Sequence, residues 1–141
     1  MEPSESKRAV LVVDDEENIR TITARLLAKR GHEVHTAETG IEALELLRTG
    51  LTPALVILDV RMPELDGFAT LERMRTELGL TDLPVVMLTA QASEEDMLNG
   101  YGAGADYYLT KPLQFDRLLN IVDYLIGDLT AEQRARLEPL L

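Results

Sequence analysis

Five short apolar runs, each followed by a stretch with helical periodicity, constrain this chain more than any other feature. The runs are Ala9–Val13, Glu33–Thr36, Ala54–Leu58, Val85–Leu88 and Asp106–Leu109. The first, third and fourth are nearly all apolar, the pattern of strands buried on both faces. The second, EVHT, alternates and belongs at a sheet edge. Between the runs, Ile19, Ile22, Leu26 and Leu27 mark one apolar helical stripe, and Ile41, Leu44 and Leu47 a second. Phe68, Leu71, Met74 and Leu78 mark a third, and Leu118, Val122, Leu125 and Ile126 the last. Ser93–Ala103 is a weaker helical stretch. Its Gly100 and Gly102 each lower helix stability by about 1 kcal/mol, so it is expected to be the softest.

Strand and helix in strict alternation imply a parallel sheet covered by helices on both faces. The expected fold is a doubly wound α/β domain with a five-stranded parallel sheet in the order 2-1-3-4-5. Its switch point falls between the first and third strands. Local punctuation agrees. Lys29-Arg30-Gly31 has the cations and glycine of a helix C-terminus. Thr39-Gly40 opens the second helix, and Arg48-Thr49-Gly50 closes it. Ser93 followed by Glu94, Glu95 and Asp96 makes an N-cap with an acidic first turn. Pro53 and Pro84 precede strands, where a missing N–H is tolerated. Asp66-Gly67 reads as a turn into the third helix, and Thr130-x-x-Gln133 as a capping box.

The functional signal lies where the runs end. Asp14 and Asp15 close VLVVDD, Asp59 closes ALVILD, Thr89 closes VVMLT, and Lys111 follows YYLT. Parallel strands bring their carboxyl ends to one edge of the sheet, and the acidic residues fall at the switch point. Three carboxylates meeting there repel one another unless a cation sits among them. A hard divalent ion such as Mg2+ takes oxygen ligands and leaves room for a phosphate. Phosphoryl chemistry on a carboxylate needs a nucleophile, ligands for the cation, a positive side chain and a nearby hydroxyl. Asp59, the Asp14–Asp15 pair, Lys111 and Thr89 supply these in that order.

Composition narrows the setting. At 141 residues a single domain is expected, with 1–7 as a loose N-terminal arm, 8–127 as the domain and 128–141 as a short helix or the start of a linker. The chain has no cysteine, which excludes disulfides and thiolate metal sites and fits a reducing cytoplasm. A net charge of −11 opposes direct binding of nucleic acid. MEPSESKRAV has no apolar core of a signal peptide, and no apolar run approaches the ~20 residues of a membrane span. His32 and His35 belong to no motif and read as a turn residue and an edge-strand residue.

VLVVDDEENIR, ALVILDVRMPELDGF, VVMLTA and DYYLTKP together resemble the receiver domain of two-component response regulators, from about Arg8 to Gly127. The resemblance implies a flavodoxin-like fold and a signalling switch without a diffusible substrate, active only in its own Mg2+-dependent phosphorylation and dephosphorylation. It implies that Asp59 accepts a phosphoryl group from a sensor histidine kinase or phosphotransfer protein. Asp15, Asp59 and the backbone carbonyl of Arg61 would bind Mg2+ directly, with Asp14 acting through water. Lys111 would meet the phosphoryl oxygens, and Lys111–Pro112 would be a cis peptide bond. Thr89 would move toward the new phosphoryl group and Tyr108 would rotate inward behind it. Tyr107 competes for that role, but strand alternation places the two tyrosines on opposite faces. Output would go to a downstream protein, with pairing of two copies as a phosphorylation-dependent form. Arg61 and Gln91 would tune the phosphoryl lifetime, while the small Ala90 leaves the site accessible.

Other readings remain. Asp14 and Asp15 could be a helix cap. A phosphohydrolase of the haloacid dehalogenase kind also uses an Asp nucleophile, but its second acid would stand where this chain has Arg61. A nucleotide or flavin binder would want a glycine-rich loop where the chain has DDEEN. Within the switch reading, the 14 residues 128–141 favour a stand-alone protein over a receiver cut from a longer regulator, and both stay open.

Overall fold

The computed structural model describes residues 9–90 and 104–141. The helix expected over Ser93–Ala103, the N-terminal arm and Gln91 lie outside the described residues. The strands are β1 (Ala9–Val13), β2 (Glu33–Ala37), β3 (Leu55–Asp59), β4 (Val85–Thr89) and β5 (Tyr107–Thr110). The described helices are α1 (Glu17–Lys29), α2 (Gly40–Arg48), α3 (Gly67–Thr76), α4 (Phe115–Ile126) and α5 (Ala131–Leu137), with a 3-10 turn over Glu138–Leu140. All four strand pairings are parallel and the order is β2-β1-β3-β4-β5, as the alternation of elements predicts.

Strand alternation sorts the core into two layers. Leu11, Val13, Val56, Leu58, Val85, Met87 and Tyr108 face α2 and α3, meeting Leu44, Leu71 and Met74. Val10, Val12, Leu55, Ile57, Val86, Leu88 and Leu109 face α1 and α4, meeting Leu27, Leu118, Ile121 and Val122. Every residue of β3 and β4 is buried, which explains their unbroken apolar sequences.

Two helices sit rotated from their expected stripes. Ile22 is 43% exposed and Ile41 is 51% exposed. The inner line of α1 runs through Thr23 and Leu27, and that of α2 through Gly40, Ala43, Leu44 and Leu47. Small residues carry these lines because they let the helix approach its neighbour. A Cβ on Gly40 would collide with the Thr70 hydroxyl and stand 3.0 Å from the Leu65 carbonyl oxygen. A periodicity that counts only large apolar residues cannot register this.

The caps follow the sequence. Thr39 accepts a hydrogen bond from the Glu42 amide at 3.0 Å, and Asp66 accepts one from the Ala69 amide at 2.8 Å. Thr130 and Gln133 form the reciprocal capping box of α5. At the amino-terminal edge of the sheet, the Arg75 guanidinium donates to the carbonyls of Leu80, Leu83 and Gly104 at 2.6, 2.6 and 2.5 Å. One side chain thus ties the end of α3 to the approaches of β4 and β5.

Candidate functional site

The ladder hydrogen bonds continue past the strands and hold the acidic edge in place. The Asp14 amide donates to the Ala37 carbonyl at 3.2 Å, the Val60 amide to Leu88 at 2.8 Å, and the Lys111 amide to Thr89 at 2.6 Å. Asp59 lies opposite Leu88 and Thr89 opposite Thr110. Residues 14, 59, 89 and 111 therefore meet at one sheet edge because their strands are registered there.

The carboxylates of Asp14, Asp15 and Asp59 each offer an oxygen within 4.8 Å of the others. Asp14 is fully buried and Asp59 is 2% exposed, while Asp15 faces solvent. Lys111 extends its Nζ into this cluster. It is 3.5 Å from Asp14 Oδ2, 3.5 Å from Asp59 Oδ1 and 2.9 Å from Glu16 Oε1. Thr89 is fully buried at the end of β4. Tyr108 is 7% exposed, in the core layer beneath α2 and α3, and Tyr107 lies on the opposite layer.

Neither aspartate of the pair caps α1. The helix begins after Glu16, whose side chain makes no capping hydrogen bond. Asp14 Oδ1 instead accepts the Glu16 amide at 2.9 Å, and Arg20 donates to the Asp14 carbonyl at 2.9 Å. The turn is used to hold a carboxylate inward, not to start a helix.

Electrostatics follow from this packing. Burial, then the Asp14 charge, push the Asp59 carboxyl up to about 7, with Asp15 adding and Lys111 opposing. Asp14 is raised by burial, against the Glu16 amide and Lys111. For Lys111, burial alone would lower the ammonium, but the hydrogen bond to Glu16 and the charges of Asp59 and Asp14 carry it above its ordinary value. The site thus contains more negative charge than one lysine satisfies. Three oxygen donors with one at the solvent edge fit a hard divalent cation such as Mg2+.

Two contributors escaped the sequence reading. Glu16 is the third acid of DDEEN, and only its distance to Lys111 distinguishes it from the surface acids that follow. Gly67 begins α3 against the backbone that carries Asp59. A Cβ there would collide with the Asp59 carbonyl oxygen and stand 2.8 Å from Val60 Cα, while the Gly67 amide donates to Val60 at 2.8 Å. The PELDG turn therefore shapes the site as well as starting a helix.

The histidines lie elsewhere. His32 is buried, with Nε2 3.3 Å from Asp123 Oδ1 beside an Arg30–Asp123 ion pair, and His35 bonds Glu33 at 2.7 Å. Both have a partner that the sequence did not reveal, and neither approaches the acidic edge. The Lys111–Pro112 peptide bond is cis.

Residues 10–123 match the response regulator receiver domain. The chain is 44% identical over 107 residues to a protein named probable transcriptional regulator ycf27 of Cyanophora paradoxa, a match covering 76% of this chain and 43% of that protein. It is 36% identical over 117 residues to the DNA-binding dual master transcriptional regulator RpaA of Synechocystis, covering 83% of this chain and 48% of the relative. The chain thus spans about half the length of these relatives. In three dimensions it resembles the chemotaxis protein CheY4 of Vibrio cholerae, with a TM-score of 0.79, 32% identity, and coverage of 85% of this chain and 99% of that one. A receiver domain from Francisella gives a TM-score of 0.78 at 33% identity, covering 84% and 96% of the two chains. The strand order and the match through residues 10–123 lead to one conclusion: this chain belongs to the response regulator receiver domain family.

Proposed function

We propose that this chain is a phosphoryl-accepting signalling switch in which Asp59 is the acceptor. The observation that carries this reading is the meeting of buried Asp14 and Asp59 with Lys111 at a sheet edge that Asp15 opens to solvent. A carboxylate oxygen of Asp59 attacks the phosphorus of a phosphohistidine on a sensor kinase or phosphotransfer protein. The P–N bond breaks, its electron pair leaves with the imidazole, and an acyl phosphate remains on Asp59. Lys111 faces the incoming phosphoryl oxygens as a fixed positive charge. Asp14, Asp15, Asp59 and the Arg61 carbonyl are the residues that would hold Mg2+, which when bound neutralises phosphoryl charge.

Thr89 and Tyr108 are assigned the switch. Phosphorylation adds about −1.5 to −2 charges and three acceptor oxygens next to the buried Thr89 hydroxyl. Tyr108, the residue assigned to follow Thr89, lies in the core layer that α2 and α3 cover. The chain acts as a switch and not as a classical enzyme, and the assigned turnover is limited to its own phosphorylation and dephosphorylation. Among the described residues no helix is long and apolar enough to cross a membrane. A cytoplasmic setting and output through contact with another protein, including a second phosphorylated copy, complete the proposal. The greater length of the named regulators favours a second reading, in which the same switch controls an attached output domain.

The test is acetyl phosphate or beryllofluoride with Mg2+. Acetyl phosphate is expected to add one phosphoryl group to Asp59 and beryllofluoride to occupy the same carboxylate. Asp59→Asn is expected to abolish both. An unchanged mass and unchanged spectra in the wild-type chain would refute the reading.

A further inference from the structure

Lys111 is held unevenly by the three carboxylates around it. An ammonium has three N–H donors, and a strong bond from one of them to a carboxylate oxygen spans about 2.7–2.9 Å. The Lys111 Nζ meets that distance at Glu16 Oε1, 2.9 Å away. It stands 3.5 Å from Asp14 Oδ2 and 3.5 Å from Asp59 Oδ1, too far for a strong bond to either. The shortest contact thus goes to an acid at the rim, whose side chain is 60% exposed, and not to the two buried aspartates. Charge and burial alone would give the opposite ranking, because attraction between charges is strongest where water is excluded.

The backbone explains why Glu16 prevails. Its amide donates to Asp14 Oδ1 at 2.9 Å, and its carbonyl accepts the Arg20 amide at 3.0 Å. The Arg20 guanidinium donates in turn to the Asp14 carbonyl at 2.9 Å. Residues 14–16 are therefore tied to the start of α1 from both sides, and one oxygen of Asp14 is already engaged. Glu16 occupies the N-cap position but makes no capping bond with its side chain, which reaches to the residue after β5 instead.

The place of the ammonium matters to the carboxylates. Seated on Asp14 and Asp59, it would occupy oxygens that a hard cation needs and repel that cation by its own charge. We propose that Glu16 is a positioning residue that draws the Lys111 ammonium toward the rim and so keeps the Asp14 and Asp59 oxygens open to Mg2+ in the unmodified chain. The proposal rests on the reading of these aspartates as Mg2+ ligands. Glu16 acts through Lys111, not as a further ligand.

Crystal structures of the metal-free wild type and Glu16→Ala, together with calorimetric titration by Mg2+ alone, test this. Glu16 makes no capping bond, so its truncation leaves the start of α1 intact. In Glu16→Ala, Nζ should close on Asp14 Oδ2 and Asp59 Oδ1 from 3.5 Å to about 2.8 Å. Mg2+ should bind this variant about threefold more weakly than the wild type, the scale of a partly exposed ion pair. In a Lys111→Met background the same substitution should weaken Mg2+ binding much less. An ammonium that keeps its wild-type place in Glu16→Ala would overturn the proposal. So would an equal loss of affinity with and without Lys111, since Glu16 would then act on the cation by its own charge. A wild type that binds no Mg2+ would remove the metal reading, and the proposal with it. Mg2+ binding as described in a chain that takes no phosphoryl group from acetyl phosphate would remove the acceptor reading alone.

Discussion

Replacing Asp59 by asparagine should stabilise the metal-free chain at alkaline pH, although it deletes the proposed acceptor. The reason is electrostatic. Oxygens of Asp14, Asp15 and Asp59 lie within 4.8 Å of one another, and at an effective dielectric of ~20 each like-charged pair at that separation repels by about 3.5 kcal/mol. Lys111 at 3.5 Å from Asp59 offsets about 4.7 kcal/mol on the same scale, and burial opposes the charge further. The Asp59 carboxyl accordingly rises from 3.8 to about 7. Three pH units correspond to about 4 kcal/mol, and water access along the Asp15 side reduces the expected effect to about 2 kcal/mol. Because the folded pKa is the higher one, the folded state binds the extra proton between pH 4 and 7. The wild type is therefore free of this penalty below pH 4, acquires it as pH rises toward 7, and carries it in full above. Urea unfolding of both proteins in EDTA at pH 5 and pH 8 checks this. Asp59→Asn should be more stable by about 2 kcal/mol at pH 8, or roughly 6 °C in Tm, with a smaller difference at pH 5. Saturating Mg2+ should reduce the gap by stabilising the wild type. Equal stability at pH 8 in EDTA, or a less stable variant, would refute the account of the site as an excess of buried negative charge.

Two further expectations concern the scaffold. Arg75→Ala removes the donor shared by the Leu80, Leu83 and Gly104 carbonyls and should destabilise the fold by about 2–4 kcal/mol in urea, with the phosphoryl-site residues untouched. Gly67→Ala places a methyl group against Val60 Cα and the Asp59 carbonyl. It should cost about 1–3 kcal/mol and also slow phosphorylation by acetyl phosphate, whereas a loss of stability alone would show that the turn does not shape the site.

The acidic edge was legible because its residues carry two signals at once. Asp14, Asp59, Thr89 and Lys111 are chemically distinctive, and each ends an apolar run, so a parallel topology alone brings them together. Glu16 lacked the second signal. It stands beyond the strand among other acids, and its ion pair with Lys111 depends on a side-chain path that spacing does not determine. Ile22 and Ile41 were misplaced for a related reason. Helical periodicity defines an arc, and the contact line within it is chosen by where Thr23, Gly40 and Ala43 permit close approach. Arg75 gave no sign at all, because the Leu80, Leu83 and Gly104 carbonyls, from the approaches to two strands, converge on it only after the chain has folded.

Sequence alone determined the alternation of strands and helices, the edge position of β2, the order of the sheet and the identity of the clustered carboxylates. These follow from short-range patterns and a topology with few alternatives. Tertiary structure decided the quantities that depend on distance and water: which aspartate is buried, where Lys111 divides its charge, and how far Asp59 is raised. It also decided that residues 130–141 fold back on Tyr124, since a capping box specifies a helix but not the surface on which that helix rests.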